Sequence, residues 1–333
     1  MNSKPFDPAI SFTPISNNVP KPFADLRIVF MGTPGFAVAS LEALIQAGAQ
    51  VVGVVTAPDR PAGRGLTLQS SEVKKAALAH RIPLLQPEKL KDPTFLNALR
   101  SWKADIQVVV AFRMLPEVVW NMPPLGSVNV HASLLPKYRG AAPINWALIN
   151  GETETGVTTF RLKHEIDTGG ILLQASTPIH PGMTAGELHD ALMVIGAKLI
   201  VETLQGLAAE TLVEHPQPEI DPEHPLPHAP KIHTETCRIH WNQPMEKVLN
   251  LIQGLSPYPG AFAEWNETTF KIFRATGEKV NHHAQPGSWS SDGKTHFSFA
   301  THDGWIHIID LQIAGKKRMD TASWLRGYRL PNQ

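Results

Sequence analysis

The chain has 333 residues, 42% hydrophobic and 18% charged, with 30 Lys and Arg balanced by 30 Asp and Glu. This composition belongs to a globular protein long enough for roughly two domains, and it excludes a disordered or fibrous chain. A formal net charge of zero excludes recognition of a polyanion by bulk charge, and the single cysteine, Cys237, excludes an intramolecular disulfide and fits a reducing, cytoplasmic setting.

Residues 1–25 carry Pro5, Pro8, Pro14, Pro20 and Pro22 among scattered polar residues, with no apolar signal core and no arginine. They read as a flexible extension rather than a targeting segment. Leu26 to Met31 is a compact apolar run, a buried first strand. Gly32-Thr33-Pro34-Gly35 turns it into a helix carrying Val38, Leu41, Leu44 and Ile45, which Gly48 ends. Val51 to Thr56 is the second strand, and strand, helix, strand at this spacing implies a parallel unit. The glycines do not form G-x-G-x-x-G, so no dinucleotide is inferred, and there is no P-loop. Helices are expected from Ser71 to His80 and from Pro93 to Trp102. A fully apolar central strand, Ile106 to Ala111, follows, then a helical turn from Pro116 to Trp120.

Ser127 to His131 alternates small or polar with apolar residues, so it reads as a short strand. Its period places Asn129 and His131 on one side. Pro136, Tyr138 and Gly140 then end it in a loop. The carboxyl end of a strand is where open α/β sheets meet ligands. An amide can donate to an oxygen that gains charge, and an imidazole can also move a proton near neutral pH. Two buried polar residues satisfied by backbone would be the other reading of such a pair. Downstream, the alternating run Val157 to Leu162 leads into the polar turn His164-Glu165-Ile166-Asp167-Thr168-Gly169-Gly170. If that run pairs beside Ser127 to His131, Asp167 lies against His131, where a carboxylate orients an imidazole and favours its charged form.

Thr184-x-x-Glu187 is a capping box that opens a helix to about Leu207. Pro216, Pro218, Pro222, Pro225, Pro227 and Pro230 then make an extended linker, and the domain boundary is placed there. Beyond it Pro244 begins an amphipathic helix. Short alternating segments follow, Ala261 to Trp265, Phe270 to Phe273, His296 to Ala300 and Trp305 to Leu311, with Asp303-Gly304 as a hairpin signal. A small β-barrel is expected. No stretch approaches the roughly 18 consecutive apolar residues of a membrane span. The loop from Pro58 to Leu66 carries Arg60 and Arg64 between Pro and Gly. Two such arginines suit phosphate contacts, although a charged loop is often only solvated. Lys316-Lys317-Arg318, with Arg326 and Arg329, is a second basic cluster. His233, Cys237 and His240, and the pair His282-His283, fit no ordinary zinc spacing, so no metal is expected.

Three segments together resemble the formyltransferases that use 10-formyltetrahydrofolate: Gly32-Thr33-Pro34, the loop Pro58-Asp59-Arg60-Pro61-Ala62-Gly63-Arg64-Gly65, and the block Asn129 to Pro143 with Asp167-Thr168-Gly169. The resemblance runs from about Arg27 to the C-terminus, and the Pro58 to Gly65 loop is similar to that of the tRNA-directed branch. It implies a Rossmann-like α/β catalytic domain with a parallel-rich sheet at 26–215, a Pro-rich linker at 216–234, and an OB-like β-barrel domain that binds tRNA at 235–333. It implies formyl transfer from N10 of the folate to the amine of methionine esterified to initiator tRNA, with Asn129, His131 and Asp167 as catalytic residues. Phe112, Arg113, Met114 and Leu115, with Ser133, Leu134, Leu135 and Pro136, would contact the folate. Arg60, Arg64, Lys316, Lys317 and Arg318 would contact tRNA. A cytoplasmic monomer with no membrane partner is expected. Gly170 departs from the pattern, because that family usually has a carboxylate there. The rivals are a folate-dependent formyltransferase acting on a sugar nucleotide or small amine, a hydrolase releasing formate, and a non-catalytic tRNA-binding relative.

Overall fold

The computed structural model describes residues 21–62, 67–219, 221, 223–328 and 330. The expected extension before Lys21, Arg64 and Arg329 lie outside the described residues. Of the extension, residues 21–25 are anchored rather than free: Lys21 pairs with Asp105 at 2.7 Å, and Phe23 packs against the core.

The first half runs β1 (Arg27–Gly32), α1 (Gly35–Gln46), β2 (Gln50–Val55), β3 (Arg60–Ala62), β4 (Thr67–Gln69), α2 (Glu72–Ala79), β5 (Leu84–Leu85), α3 (Pro93–Ser101), β6 (Ile106–Val110), α4 (Glu117–Trp120) and β7 (Ser127–His131). It continues through α5 (Pro143–Ile149), β8 (Glu154–Arg161), β9 (Ile171–Pro178) and α6 (Ala185–Ala208). Seven of these strands form one sheet in the order β5-β2-β1-β6-β7-β8-β9. It is parallel from β5 to β7 and antiparallel at β8 and β9. The period of two divides its central strands between two cores. Ile28, Phe30, Val108 and Val110 face α1 and α6, whereas Val29, Met31 and Val109 face the layer with Phe95, Leu99 and Trp102.

Helix α6 is long and apolar, with mean hydropathy 1.5. Its apolar stripe, Leu188, Leu192, Leu199, Ile200 and Leu204, lies inside the first core, and Gly196 lets it approach Val130. The capping box forms as the sequence predicts: Thr184 accepts from the Glu187 N–H and Glu187 accepts from the Thr184 N–H at 2.8 Å. These bonds, with Arg274, hold the Glu187 carboxyl below the usual carboxylate range.

The second half comprises α7 (Met245–Leu255), β10 (Ala261–Trp265), β11 (Thr268–Lys279), β12 (Trp289–Ser291), β13 (Phe297–Ala300), β14 (Gly304–Ile313), β15 (Met319–Asp320) and α8 (Thr321–Gly327). Its sheet is antiparallel, in the order β10-β11-β14-β13-β12, with β15 on β14. It encloses a separate core of Phe270, Phe297, Phe299, Trp324 and Ile252. Cys237 is buried there, and burial pushes its thiol up, as suits a small hydrophobe. The halves meet where Asn145 donates to the Gly254 carbonyl at 2.7 Å and Arg274 pairs with Glu187 at 2.6 Å.

Between the halves the Pro-rich segment is extended, as its composition predicts, but it is not free. Tyr138 N–H donates to Pro227 O at 2.7 Å, Ala141 N–H to Ala229 O at 2.7 Å, and Ala229 N–H to Arg139 O at 2.9 Å. Just before the segment, His215 exchanges both backbone hydrogen bonds with Ile171. The cause is local. The 138–142 loop belongs to no helix or sheet, and its buried backbone groups need partners.

A residue just before that segment, Glu214, resolves the departure at position 170. A Cβ on Gly170 would overlap the Glu214 carboxylate. Glu214 therefore stands where a side chain at 170 would point, with Arg161 at 3.6 Å and Lys163 at 3.9 Å. Burial lowers the Arg161 guanidinium and the Glu214 charge opposes that effect. Gly170→Asp crowds two carboxylates into one place, and Glu214→Ala leaves Arg161 unpaired. Each change alone is expected to lower stability by about 1–2 kcal/mol, whereas together they restore most of it, giving a coupling of at least about 1 kcal/mol in urea unfolding of the four proteins. Additive losses would show that the two positions do not share the space.

Candidate active site

Strand β7 builds the site. It lies between parallel β6 and antiparallel β8, with Asn129 opposite Val109 and Phe160. Val128 and Val130 enter the first core, so the alternation sends Asn129 and His131 to the other face. Both line a cleft of about 1170 Å³ at the carboxyl edge of the parallel strands. The ends of three of these strands contribute to it: Pro34 after β1, Ala111 to Leu115 after β6, and His131 with Ala132 at the end of β7. The loop after β8 lines it from Leu162 to Asp167.

His131 is 8% exposed. Its Nε2 lies 2.9 Å from the Tyr138 carbonyl. A carbonyl can only accept, so Nε2 carries a proton and donates it. Nδ1 lies 3.8 Å from Asp167 Oδ2. Any proton the ring exchanges with a bound molecule must therefore pass through Nδ1, on the carboxylate side. The edge of the ring also meets Phe160, with centroids 6.4 Å apart. Asp167 is fixed by a hydrogen bond from the Gly140 N–H to its Oδ2 at 2.9 Å. The pairing that the sequence makes conditional is thus met: β8 pairs with β7, and the loop after it carries Asp167 to His131.

Two residues reach this geometry through left-handed backbone, Tyr138 at φ 60° and Asp167 at φ 55°. Gly140, at φ 124°, passes so close to Ala229 that no side chain fits. Tyr138 escapes detection in the sequence because its contribution is a carbonyl. The only local sign is its place before Arg139-Gly140, where the chain must turn.

Phe112, Arg113, Met114 and Leu115 all line the cleft. Met114 is 72% exposed, and Val118 and Ile166 are further exposed apolar residues in the same lining. The Arg113 guanidinium is turned to the carbonyls of Pro87 and Glu88. Ser133, Leu134, Leu135 and Pro136 are outside the lining. Their backbone serves the interior instead. Thr158 donates to Ser133 O at 2.6 Å, Leu135 N–H donates to Thr158 at 3.0 Å, and Gln174 donates to Leu135 O at 2.9 Å. Sequence reasoning missed Phe36 and His189, which stack edge to face at 5.2 Å on the cleft wall. His189 sits on the polar side of an otherwise apolar helix, which was the available signal.

The expected basic loop is in fact a hairpin, β3 and β4 paired antiparallel. Asp59 anchors its base, bonded to Lys74 at 2.5 Å and Gln86 at 2.9 Å, and these bonds hold its carboxyl below the usual range. Arg60 is exposed on it. Lys316 and Lys317 are exposed between β14 and β15, whereas Arg318 pairs with Asp310 and lies 4.3 Å from the Phe273 ring centroid. Among the described residues, no group of three His, Cys, Asp or Glu converges as metal ligands.

The Tyr138 hydroxyl donates to Glu152 at 2.8 Å and is pushed up to about 12, chiefly by burial, with Glu152 acting the same way and Asn150 against it. A raised folded-state value means that stability is complete below the ordinary value of 10.0 and is lost as the pH rises toward 12. In an alkaline absorbance titration, one of the three tyrosines is expected to ionise late. Tyr138→Phe should remove that step, and its persistence in the variant would assign it elsewhere.

Comparison with known proteins identifies the family and the fold. Residues 26–204 match the family described as formyl transferase, and residues 231–329 match the formyl transferase C-terminal domain. The methionyl-tRNA formyltransferase of Bacteroides fragilis is 54% identical over 311 residues, covering 92% of this chain and 96% of that one. The protein of the same name from Flavobacterium johnsoniae is 46% identical over 306 residues, covering 91% and 96%. Among solved structures, the sugar 3N-formyl transferase WlaRD, crystallised with dTDP and 5-N-formyl-THF, shares the fold with a TM-score of 0.63 at 20% identity, covering 88% of this chain and 99% of that one. HypX from Aquifex aeolicus, in complex with tetrahydrofolic acid, shares it with a TM-score of 0.62 at 18% identity, covering 90% of this chain and 47% of that longer one. The chain is a formyl-transferring enzyme that belongs to the methionyl-tRNA formyltransferase family.

Proposed function

We propose that the protein transfers the formyl group of 10-formyltetrahydrofolate to the amino group of methionine carried by initiator tRNA, as a cytoplasmic monomer that supports translation initiation. The observation that carries this reading is the convergence of Asn129, His131 and Asp167 in one cleft, in a chain so similar to enzymes of that name. The cleft fits the co-substrate. Its apolar rim of Met114, Val118 and Ile166, beside Phe112, suits a flat heterocycle, and the polar residues lie deeper, on β7. We assign the folate contacts to Phe112 through Leu115. Ser133 to Pro136 shape the pocket from behind.

Transfer forms a bond between the amine nitrogen and the formyl carbon and breaks the bond from that carbon to N10. The proton lost by the amine ends on N10. Asn129 donates a hydrogen bond to the formyl oxygen as negative charge builds there. His131 moves the proton through Nδ1, because Nε2 is held by Tyr138. Asp167 orients the ring from the Nδ1 side. No covalent intermediate with the enzyme is required.

Turnover at saturating concentrations of both substrates tests these roles. Asn129→Ala and His131→Ala are each expected to lower kcat by about 100- to 1000-fold. Asp167→Asn should also lose most turnover, although an amide oxygen can still accept from Gly140. Melting temperatures should change little. Wild-type turnover in any of the three would remove that residue from the assignment.

For tRNA we propose the exposed Arg60, Lys316 and Lys317, with Arg64 and Arg318. Phosphate contacts release counterions, so each lost contact flattens the salt dependence of binding by a slope of about one. Arg60→Ala and the pair Lys316→Ala with Lys317→Ala should weaken tRNA binding in this way and leave the KM for folate unchanged. An unaltered tRNA slope with weakened folate binding would favour a formyltransferase acting on a small amine.

A further inference from the structure

Gln217 lies in the segment between α6 and the second half, outside every helix and strand and outside the cleft lining. Its amide is nevertheless bonded at both ends. Oε1 accepts from Arg139, from Nε at 3.0 Å and from Nη2. Nε2 donates to the carbonyls of Asp167 and Gly169, each at 2.8 Å. The polarity of the amide is dictated, because a guanidinium only donates and carbonyls only accept. The two anchored carbonyls lie in the loop where Asp167 holds a left-handed backbone, and from there its carboxylate meets Gly140 and His131. Arg139 immediately precedes Gly140. Gln217 thus ties together the two loops whose meeting sets Asp167 against His131, and it ties them at both partners.

We propose that Gln217 is a positioning residue for the transfer reaction. It fixes the direction of the Asp167 carboxylate by holding the backbone of its loop, and it does so from the segment that leads to the second domain. This rests on the reading of Asn129, His131 and Asp167 as the reacting centre. Neither the cleft nor the sequence motifs point to Gln217; only the hydrogen bonds do.

The test compares Gln217→Glu and Gln217→Met with the wild-type enzyme, using 10-formyltetrahydrofolate and methionyl-initiator-tRNA. Gln217→Glu keeps the length and the Arg139 contact but turns a carboxylate toward two carbonyls. Gln217→Met keeps the length and removes all polarity. A displaced reacting group can cost up to about 100-fold, so kcat should fall by about 10- to 100-fold in both variants, with the KM of each substrate and the melting temperature nearly unchanged. Added to Asp167→Asn, Gln217→Glu should lower kcat no further, because the residue acts through Asp167. Wild-type kcat in Gln217→Glu, a loss confined to KM, a loss that tracks melting temperature, or a full further loss on top of Asp167→Asn would each overturn the proposal. If Asp167→Asn itself kept full turnover, the reading of the reacting centre would fail instead, so the two failures are distinct.

Discussion

The site depends on the placement of one strand. Ser127 to His131 is the last parallel strand of the sheet and the first with an antiparallel neighbour. Parallel pairing with β6 brings its carboxyl end to the edge where β1 and β6 also end. Antiparallel pairing with β8 lets the chain return on its other side, so that Asp167 can approach His131. Were β7 one residue out of register, Asn129 and His131 would exchange places with Val128 and Val130, and two polar side chains would face the apolar layer of α6. The burial of Val128 and Val130 therefore fixes where Asn129 and His131 point. Packing on one face of the strand specifies chemistry on the other.

Much of this is legible in the sequence, for physical reasons. The run Ser127 to His131 announces its period and its faces, and the structure keeps those bounds. The Thr184 capping box, the apolar Ile106 run and the turn at Gly48 are local signals, and they were readable because local bonds decide them. What was not legible is what distant partners decide. The expectation of a strand at Phe270 to Phe273 covers only part of β11, whose exposed half from Arg274 to Lys279 is ordered by pairing with β14. Strand β9 was missed because only one face of it is partly covered. The β3–β4 pair reads as loop in the sequence because its proline and the glycines after it announce turns, and only the pairing with Thr67–Gln69 makes Arg60–Ala62 a strand.

Asn129, His131 and Asp167, the proposed catalytic trio, divide along the same line. Asn129 and His131 could be placed side by side from strand period alone. Asp167 could be named, but only the pairing of β8 with β7 brings it to 3.8 Å from the ring. The Tyr138 carbonyl and the Gln217 amide could not be found at all. A carbonyl is present at every residue, and an amide in a Pro-rich segment carries no pattern. Conversely, Ser133 to Pro136 are folate contacts by the resemblance alone, and they lie outside the cleft lining. The sheet claims their backbone, since buried Thr158 needs partners as much as a ligand would.

The loops around the site carry conformational cost that something must hold in place. Tyr138 and Asp167 both adopt left-handed backbone, at roughly 1–2 kcal/mol each for residues with a Cβ. Neither loop is long enough or apolar enough to hold itself by burial. Hydrogen bonds from elsewhere do it: Pro227 and Ala229 to the 138–142 loop, and Ile171 to His215 at the end of the other. The Pro-rich composition suits this task. A chain with fixed φ loses little freedom when it is laid along a surface, so its contacts are worth more than those of a flexible linker would be. The segment that looks like a spacer between two domains is for this reason part of the catalytic half's structure. Just before it, Glu214 reaches the place where a carboxylate is expected, so that Gly170 can stand there.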